Sequence, residues 1–181
     1  MSDTTIRFRS FPQTEAPPAL AAQLAEVFRA HELQVATTHL TKGLTSDAVL
    51  HHLAVDLAAL GFDVETGKRQ DDKILRPVFF GENGVPTLQY EVDAYHSEWR
   101  CGLEVEAGRA WKGNAIYRDL IQGMVMSQVD ILALAVPNQY RYKNKGRDSI
   151  SPDYDNACKV AEALFGHSRF TMPYKLIVIG Y

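Results

Sequence analysis

Five acidic side chains crowd one short stretch of the sequence, Tyr90–Gly108, in which apolar residues occupy nearly every other position. This alternation predicts two paired β-strands with the acids together on one face. Asp93 is then expected to lie opposite Glu104, and Glu91 is expected near Glu106. Because like charges that face each other destabilise a sheet and raise each other's pKa, such a cluster calls for a counter-cation.

A hard divalent cation with oxygen ligands meets this need, and Mg²⁺ or Mn²⁺ suits a site built from a few carboxylates. Asp93 and Glu104 are the natural ligand pair, with the backbone carbonyl of Val105 as a third ligand. Glu106 points to the same side, where it would bind a second ion or activate a water. The alternative is that the acids simply face solvent on the polar side of an antiparallel sheet. Covering helices favour the metal site, because they would keep this face from being fully wet.

The rest of the chain predicts the elements that position these acids. Apolar residues at helical spacing predict four helices, over residues 19–33, 45–61, 114–128 and 151–166. Strands are predicted over residues 62–66, 74–81, 88–95, 101–106, 130–137 and 174–181. In the third helix, Ile116, Leu120, Ile121 and Met124 are expected to face inward. Residues before the first helix are expected to be irregular.

These elements predict one α/β domain with a mixed β-sheet flanked by helices. The acidic strands supply its antiparallel part, and the order of strand, loop, helix and strand from Asp130 to Tyr181 supplies a parallel part. Residues 1–44 form an N-terminal helix and its lead-in, and residues 45–181 form the core.

The order of elements around the acids resembles the core of the PD-(D/E)xK nuclease superfamily, the restriction endonuclease-like fold. Asp93 matches the first acid of that motif, and Glu104 matches the second, with ten residues between them. Glu106 stands where the family usually has lysine, as in a subset of type II restriction endonucleases, and no proline precedes Asp93. The resemblance covers roughly residues 45–137.

The resemblance implies a Mg²⁺-dependent endonuclease that hydrolyses phosphodiester bonds in DNA, with Asp93 and Glu104 as metal ligands. Glu106 would orient or deprotonate the attacking water. The absent lysine's positive charge would come from Lys112, Arg109 or Arg118.

On the helix after the acidic strands, Arg118 and Gln122 are spaced i and i+4, so both are expected to reach the same site. A homodimer fits this activity, since double-strand cleavage needs two sites. The alternative is a catalytically inactive member of the same fold that binds nucleic acid or another protein, which the missing lysine motivates.

A basic segment follows the apolar strand 130–137 and is expected to form a loop that contacts DNA. Its cations would neutralise phosphates, and its tyrosines would stack on bases. The cations are Arg141, Lys143, Lys145 and Arg147, interleaved with Tyr140 and Tyr142. A weaker basic patch at Lys68, Arg69 and Lys73 is offset by Asp71 and Asp72.

Composition limits the other classes of function. The 181 residues carry a net charge of −3, which excludes a uniformly basic nucleic-acid coat, and the two cysteines have no metal-ligand spacing. No apolar run approaches the roughly 20 residues of a membrane span. A cytoplasmic protein that makes no membrane contact is therefore expected.

Overall fold

A computed structural model describes residues 4–40, 43–108 and 114–181. The strands are β1 (Arg7–Phe11), β2 (Phe62–Val64), β3 (Ile74–Phe80), β4 (Pro86–Val92), β5 (Ala94–His96), β6 (Cys101–Val105), β7 (Ile131–Val136), β8 (Tyr140–Asn144), β9 (Arg147–Ser151) and β10 (Lys175–Gly180). The helices are α1 (Ala19–Ala30), α2 (Glu32–Val35), α3 (Ser46–Ala59), α4 (Ala115–Val125) and α5 (Asp153–Gly166).

Six strands form the central sheet in the order β1-β10-β7-β6-β5-β2. The three middle strands, β10, β7 and β6, are parallel, and the outer strands are antiparallel to their neighbours. The predicted class, an α/β fold with a mixed sheet flanked by helices, is confirmed. Two further pairs, β3 with β4 and β8 with β9, form separate two-stranded sheets.

Helices cover both faces of the central sheet. Side chains of α1, α2 and α3 pack on one face in a core that includes Leu103, Ala133 and Ile177. On the opposite face, α4 and α5 pack over residues that include Leu132 and Leu134. Strand β7 is buried along its whole length, as its almost wholly apolar sequence predicts for a central strand of parallel pairing.

The first strand corrects one prediction. Residues expected to be an irregular lead-in instead form β1, which pairs antiparallel with β10 from Arg7↔Gly180 to Phe11↔Leu176. The pattern was hard to detect because β1 is an edge strand of five residues with partly exposed charged side chains. Pairing with the buried strand β10 holds it in place, together with Phe11, which is buried in the core, and Phe8, which packs on the opposite face.

The acidic segment is also built differently from the single hairpin that the sequence predicts. Strand β4 pairs with β3 outside the central sheet, and only the short β5 pairs with β6. The chain changes partner at Asp93, whose carboxylate Oδ2 accepts a hydrogen bond of 2.7 Å from the backbone N–H of Val105. This side chain occupies the place of a strand carbonyl, so pairing with β6 does not continue beyond this point.

The basic segment after β7 is a hairpin, not the expected loop. Strands β8 and β9 pair from Tyr140↔Ser151 to Asn144↔Arg147. Lys145 and Gly146 form the two-residue turn, and both have positive φ, at 48° and 81°. A two-residue turn with positive φ at both positions matches the twist of a hairpin, and the glycine in it was the available sequence signal.

No helix within the described ranges is long and apolar enough to cross a membrane.

Candidate active site

The structure brings Asp93 and Glu104 to facing positions. Strand β5 pairs with β6 at Ala94↔Leu103, so the residues one step further along, Asp93 and Glu104, are opposite each other. Both side chains line one pocket of about 400 Å³. Burial raises the pKa of Asp93 to about 6. The predicted meeting of these two carboxylates is therefore present in the fold.

Glu104 is a buried acid on a strand whose five residues are all buried. Burial raises its pKa well above the usual value, and the nearby carboxylates of Asp93 and Asp119 raise it further. Removing a carboxylate from water without a cation costs free energy, so the group binds its proton more tightly. The position suits a ligand for a cation more than a solvated acid.

Val105 is positioned to add a backbone ligand. The N–H of Glu106 donates to the carbonyl of Ala135 on β7, at 2.8 Å. In a parallel ladder, residues next to each other direct their backbone groups to opposite sides. The N–H of Val105 accordingly points away from β7 and meets Asp93, and its carbonyl shares that direction.

Glu106 follows β6 and is held by several elements. Its backbone carbonyl accepts a hydrogen bond of 2.8 Å from the hydroxyl of Tyr181. Its carboxylate accepts a hydrogen bond of 2.9 Å from Nη2 of Arg118. Burial, with the adjacent Asp119, raises the pKa of Glu106 to about 7. A carboxylate with a pKa near neutral pH can accept a proton from water under ordinary conditions.

Asp119 is the acidic residue of this cluster that sequence reasoning missed. It lies on α4 with only 1% of its surface exposed, and its Oδ2 atom is buried without a hydrogen-bond partner. Its Oδ1 atom accepts a hydrogen bond of 2.8 Å from Nε of Arg118. Burial raises its pKa, and the proximity of Asp119 in turn raises the pKa of Glu106.

The helix α4 explains why Asp119 was missed. The sequence predicts that Ile121 faces inward, but Ile121 is 58% exposed. The inward side instead contains Ile116, Asp119, Leu120 and Gly123. These positions are separated by three or four residues and lie on one face, whereas Ile121 lies a further 100° around the helix. The helical period of α4 was the sequence signal that could have identified Asp119, because it places Asp119 on the buried face and Ile121 outside it.

Arg118 and Gln122 both line the pocket that contains Asp93 and Glu104. Arg118 bridges the carboxylates of Glu106 and Asp119, so its guanidinium is fixed at the edge of the pocket. The spacing of Arg118 and Gln122 by one helical turn therefore places both on the predicted side of α4.

Glu91 does not lie opposite Glu106 as expected. Strand β4 pairs with β3, where Glu91 stands opposite Leu75. The Glu91 carboxylate is 3.4 Å from Nζ of Lys73. The prediction that Glu91 and Glu106 form a second pair of facing acids is wrong, because β4 pairs with β3 outside the central sheet.

The four predicted DNA-binding cations are all exposed on the β8–β9 hairpin, at Arg141, Lys143, Lys145 and Arg147. The pairing of Lys143 with Asp148 places Arg141 and Lys143 on one face. Tyr140 and Tyr142 lie on the other face with their rings stacked, 5.7 Å apart.

The hairpin and one acid of the cluster, Glu106, line a second pocket. A pocket of about 490 Å³ is lined by Glu106, Tyr140 and Arg141, together with residues that precede α3. Glu106 therefore lies between this pocket and the carboxylate pocket, since its partner Arg118 lines the latter. The basic hairpin is the neighbour of the acidic cluster, not a remote surface.

Lys112 and Arg109, which the sequence offered as sources of positive charge, lie outside the described residues. Within the described ranges, no group of three or more histidine, cysteine, aspartate or glutamate side chains is arranged to hold a metal ion by itself. The predicted ligand set of Asp93, Glu104 and the Val105 carbonyl stays a prediction; two of its members, Asp93 and Glu104, line one pocket.

Comparisons with known proteins add a structural likeness. No protein-family model and no curated protein sequence matches the chain. Among solved structures, the chain is similar to the restriction endonuclease BglII in a complex with a DNA 16-mer, with 10% sequence identity and a TM-score of 0.47. The match covers 97% of this chain and 75% of that chain. The function must be argued from the chemistry of the site itself.

Proposed function

We propose that this protein is a Mg²⁺-dependent endonuclease that hydrolyses phosphodiester bonds in DNA. The observation that carries the proposal is the meeting of Asp93, which is partly buried, and Glu104, which is buried, in one pocket with the cationic side chain of Arg118. Carboxylates held close together in a partly buried pocket favour the binding of a metal cation. A phosphodiester bound to that metal ion would lie beside Arg118, which can donate hydrogen bonds to it.

The residues present fit Mg²⁺. This ion prefers oxygen ligands and keeps several waters, so one or two carboxylates suffice on the protein side. Asp93 and Glu104 provide the carboxylates, and Val105 provides a carbonyl directed to the same side. Mn²⁺ takes similar ligands. When bound, the ion neutralises charge on the scissile phosphate and acts as a Lewis acid.

The other side chains position the substrate and move a proton. Glu106, with its pKa raised to about 7, accepts the proton of the attacking water. Arg118, held by Glu106 and Asp119, donates hydrogen bonds to phosphate oxygens. Gln122 lines the same pocket and offers an amide donor. Lys112, predicted from sequence to supply a positive charge, stays a prediction.

The basic hairpin holds the DNA. Its four exposed cations neutralise phosphates, and its stacked tyrosines offer a surface for bases or sugars. Because Arg141 and Glu106 line one pocket, DNA held by the hairpin reaches the acidic site directly. A homodimer would bring two such sites to the two strands.

The decisive experiment combines metal binding with cleavage. Mn²⁺ is titrated by calorimetry into the wild type and Asp93→Asn, and supercoiled plasmid is incubated with each protein and Mg²⁺. We expect the wild type to bind Mn²⁺ and nick the plasmid, and Asp93→Asn to do neither. The matched control is Asp63→Asn, an exposed acid on the neighbouring strand β2, which should behave as wild type.

Two outcomes would contradict the proposal. Mn²⁺ binding that survives in Asp93→Asn would remove the metal from this pocket. A wild type that binds DNA but never nicks it, with either metal, would favour the alternative of a catalytically inactive binding module.

A further inference from the structure

The carboxylate pocket has a second cation, Lys73, at a position that the sequence placed in a weak basic patch. Lys73 precedes β3 and lines the same pocket as Asp93 and Glu104. Its side chain is mostly buried, with 19% exposed, which is unusual for a lysine. Arg118 lines the pocket as well, so two cations lie beside the pair of acids.

Lys73 is held in place by acids other than the proposed metal ligands. Its Nζ atom lies 2.7 Å from Oε1 of Glu65 and 3.4 Å from Oε2 of Glu91. Glu65 is tied to the site through its backbone, because its N–H donates to the carbonyl of Asp93 at 2.9 Å. The hydrogen bond to Glu65 raises the pKa of Lys73, so the ammonium is charged at neutral pH.

The arrangement repeats on the other side of the pocket. Arg118 is held by Glu106 and Asp119, just as Lys73 is held by Glu65 and Glu91. Asp93 and Glu104 themselves have no ion pair with either cation within the described part of the chain. The two central acids are thus left for a metal ion, and the cations are positioned by separate acids.

We propose that Lys73 is a catalytic residue that contacts the scissile phosphate, and that it supplies the point charge of the site from the position just before β3. This inference rests on the proposed nuclease function. A lysine ammonium has three N–H donors, and the two recorded carboxylate partners use two of them. The third donor can bind a phosphate oxygen without breaking either ion pair.

Placement of Lys73 near the metal site has a chemical reason. Charge develops on the phosphate oxygens during in-line attack, and a fixed cation in a partly buried pocket stabilises it more than a mobile surface cation does. Glu65 and Glu91 prevent the ammonium from folding back onto Asp93, where it would compete with the metal.

The first test measures cleavage in four proteins. Supercoiled plasmid and Mg²⁺ are incubated with the wild type, Lys73→Met, Lys73→Arg and the control Lys175→Met. Lys175 is also an ion-paired lysine, 2.6 Å from Glu15, but it lies at the opposite end of its strand from this pocket. We expect Lys73→Met to lower the single-turnover rate by about 100-fold. Lys73→Arg should retain most of the wild-type cleavage rate, because it keeps the positive charge. Lys175→Met should cleave at the wild-type rate.

A second variant separates catalysis from folding. Lys73→Met leaves Glu65 without its closest partner and can lower the melting temperature for that reason alone. The double variant Glu65→Gln with Lys73→Met removes this unpaired acid. We expect the double variant to recover the melting temperature but not the cleavage rate, while calorimetric Mn²⁺ binding is unchanged. Recovery of cleavage together with stability would overturn the proposal, because Lys73 would then be structural.

A third measurement does not need cleavage. Binding of a 30-base-pair duplex in Ca²⁺ is measured by fluorescence anisotropy at several salt concentrations. Loss of one phosphate contact should reduce the slope of log affinity against log salt by about 1 in Lys73→Met. A slope equal to that of Lys175→Met would overturn the assignment. A wild type that binds the duplex but does not cut it would refute the nuclease function, and the slope would still test the phosphate contact.

Discussion

The acidic pocket and the basic hairpin lie at the same end of the central strands, yet they are built in opposite ways. In the pocket, Glu104 is buried and Asp93 is partly buried, and the Asp93 carboxylate is held by the backbone N–H of Val105. The hairpin cations are exposed, on a two-stranded sheet that stands apart from the central one.

The difference follows from what each region must do. A site that stabilises charge during reaction gains from burial and fixed geometry, although burial of like charges lowers stability. A surface that follows a DNA backbone needs charge in water and tolerates movement. Substitutions in the pocket should therefore alter catalysis and stability together, whereas those in the hairpin should alter binding alone.

The largest effect is expected from Glu104→Gln. This change removes a proposed metal ligand and replaces a carboxyl group whose pKa is raised by burial and by the charges of Asp93 and Asp119 with a neutral amide. We expect plasmid nicking to fall by about 10³-fold or more, while the melting temperature without metal rises. Nicking assays and thermal melts measured on the same preparations test both signs. A simultaneous fall in the melting temperature would show that Glu104 stabilises the fold as an ion.

A smaller effect is expected from Arg141→Gln combined with Lys143→Gln, the two cations on one face of the hairpin. Duplex affinity should fall by about 10-fold or more at low salt, and the salt slope should decrease by about 2. The melting temperature should not change. Single replacement of Arg147, on the tyrosine face, gives the comparison between faces. If only Arg147 matters, the tyrosine face is the one that contacts DNA.

A modest effect is expected from Asp119→Asn. The amide oxygen still accepts a hydrogen bond from Arg118, but the charge that fixes the guanidinium is lost. Cleavage should decrease by about 5-fold, with the metal-free melting temperature unchanged or slightly higher because a buried acid has been neutralised. The change should appear in the rate constant at saturating DNA, and an effect confined to DNA affinity would place Arg118 outside the reacting centre.

The smallest effect is expected from pH on the metal-free protein. The folded-state pKa values of Asp93 and Glu106, about 6 and about 7, are above their usual values. The folded state therefore binds more protons than the unfolded state between about pH 4 and pH 7, and stability falls as pH rises through that range. The melting temperature should be a few degrees lower at pH 8 than at pH 5, and Mn²⁺ should raise it most at pH 8. A melting temperature that rises with pH would show that the acids are ionised and stabilised without metal.

Local patterns predicted much of the fold because each depends on neighbouring residues. The helix α3 begins where Thr45 accepts a hydrogen bond from Ala48 N–H, as its position before an apolar stripe predicts. The apolar run of β7 predicted a buried central strand, and the order of elements after it predicted parallel pairing with β10. The alternation of the acidic strands likewise predicted that Asp93 faces Glu104.

Errors arose where pairing depends on residues far away in the sequence. Strand β4 leaves the central sheet to pair with β3, which alternation along β4 cannot indicate. Strand β1 is held by the last strand of the chain. The alternation of the basic segment fits both a hairpin and an exposed loop, and apart from Gly146 in the turn the sequence carries little that distinguishes them.

The sequence by itself determined that buried strands would bring Asp93 and Glu104 together, because strand alternation and a short connection are local properties. Only the tertiary structure decided that Asp119 and Lys73 join them. Asp119 on α4 lies close enough to raise the pKa of Glu104, and Lys73 lines the pocket from the segment before β3, so both are brought in by packing between separate elements. The electrostatic environment of a site depends on residues that are distant in the sequence, since electrostatic energy depends on distance in space and on burial.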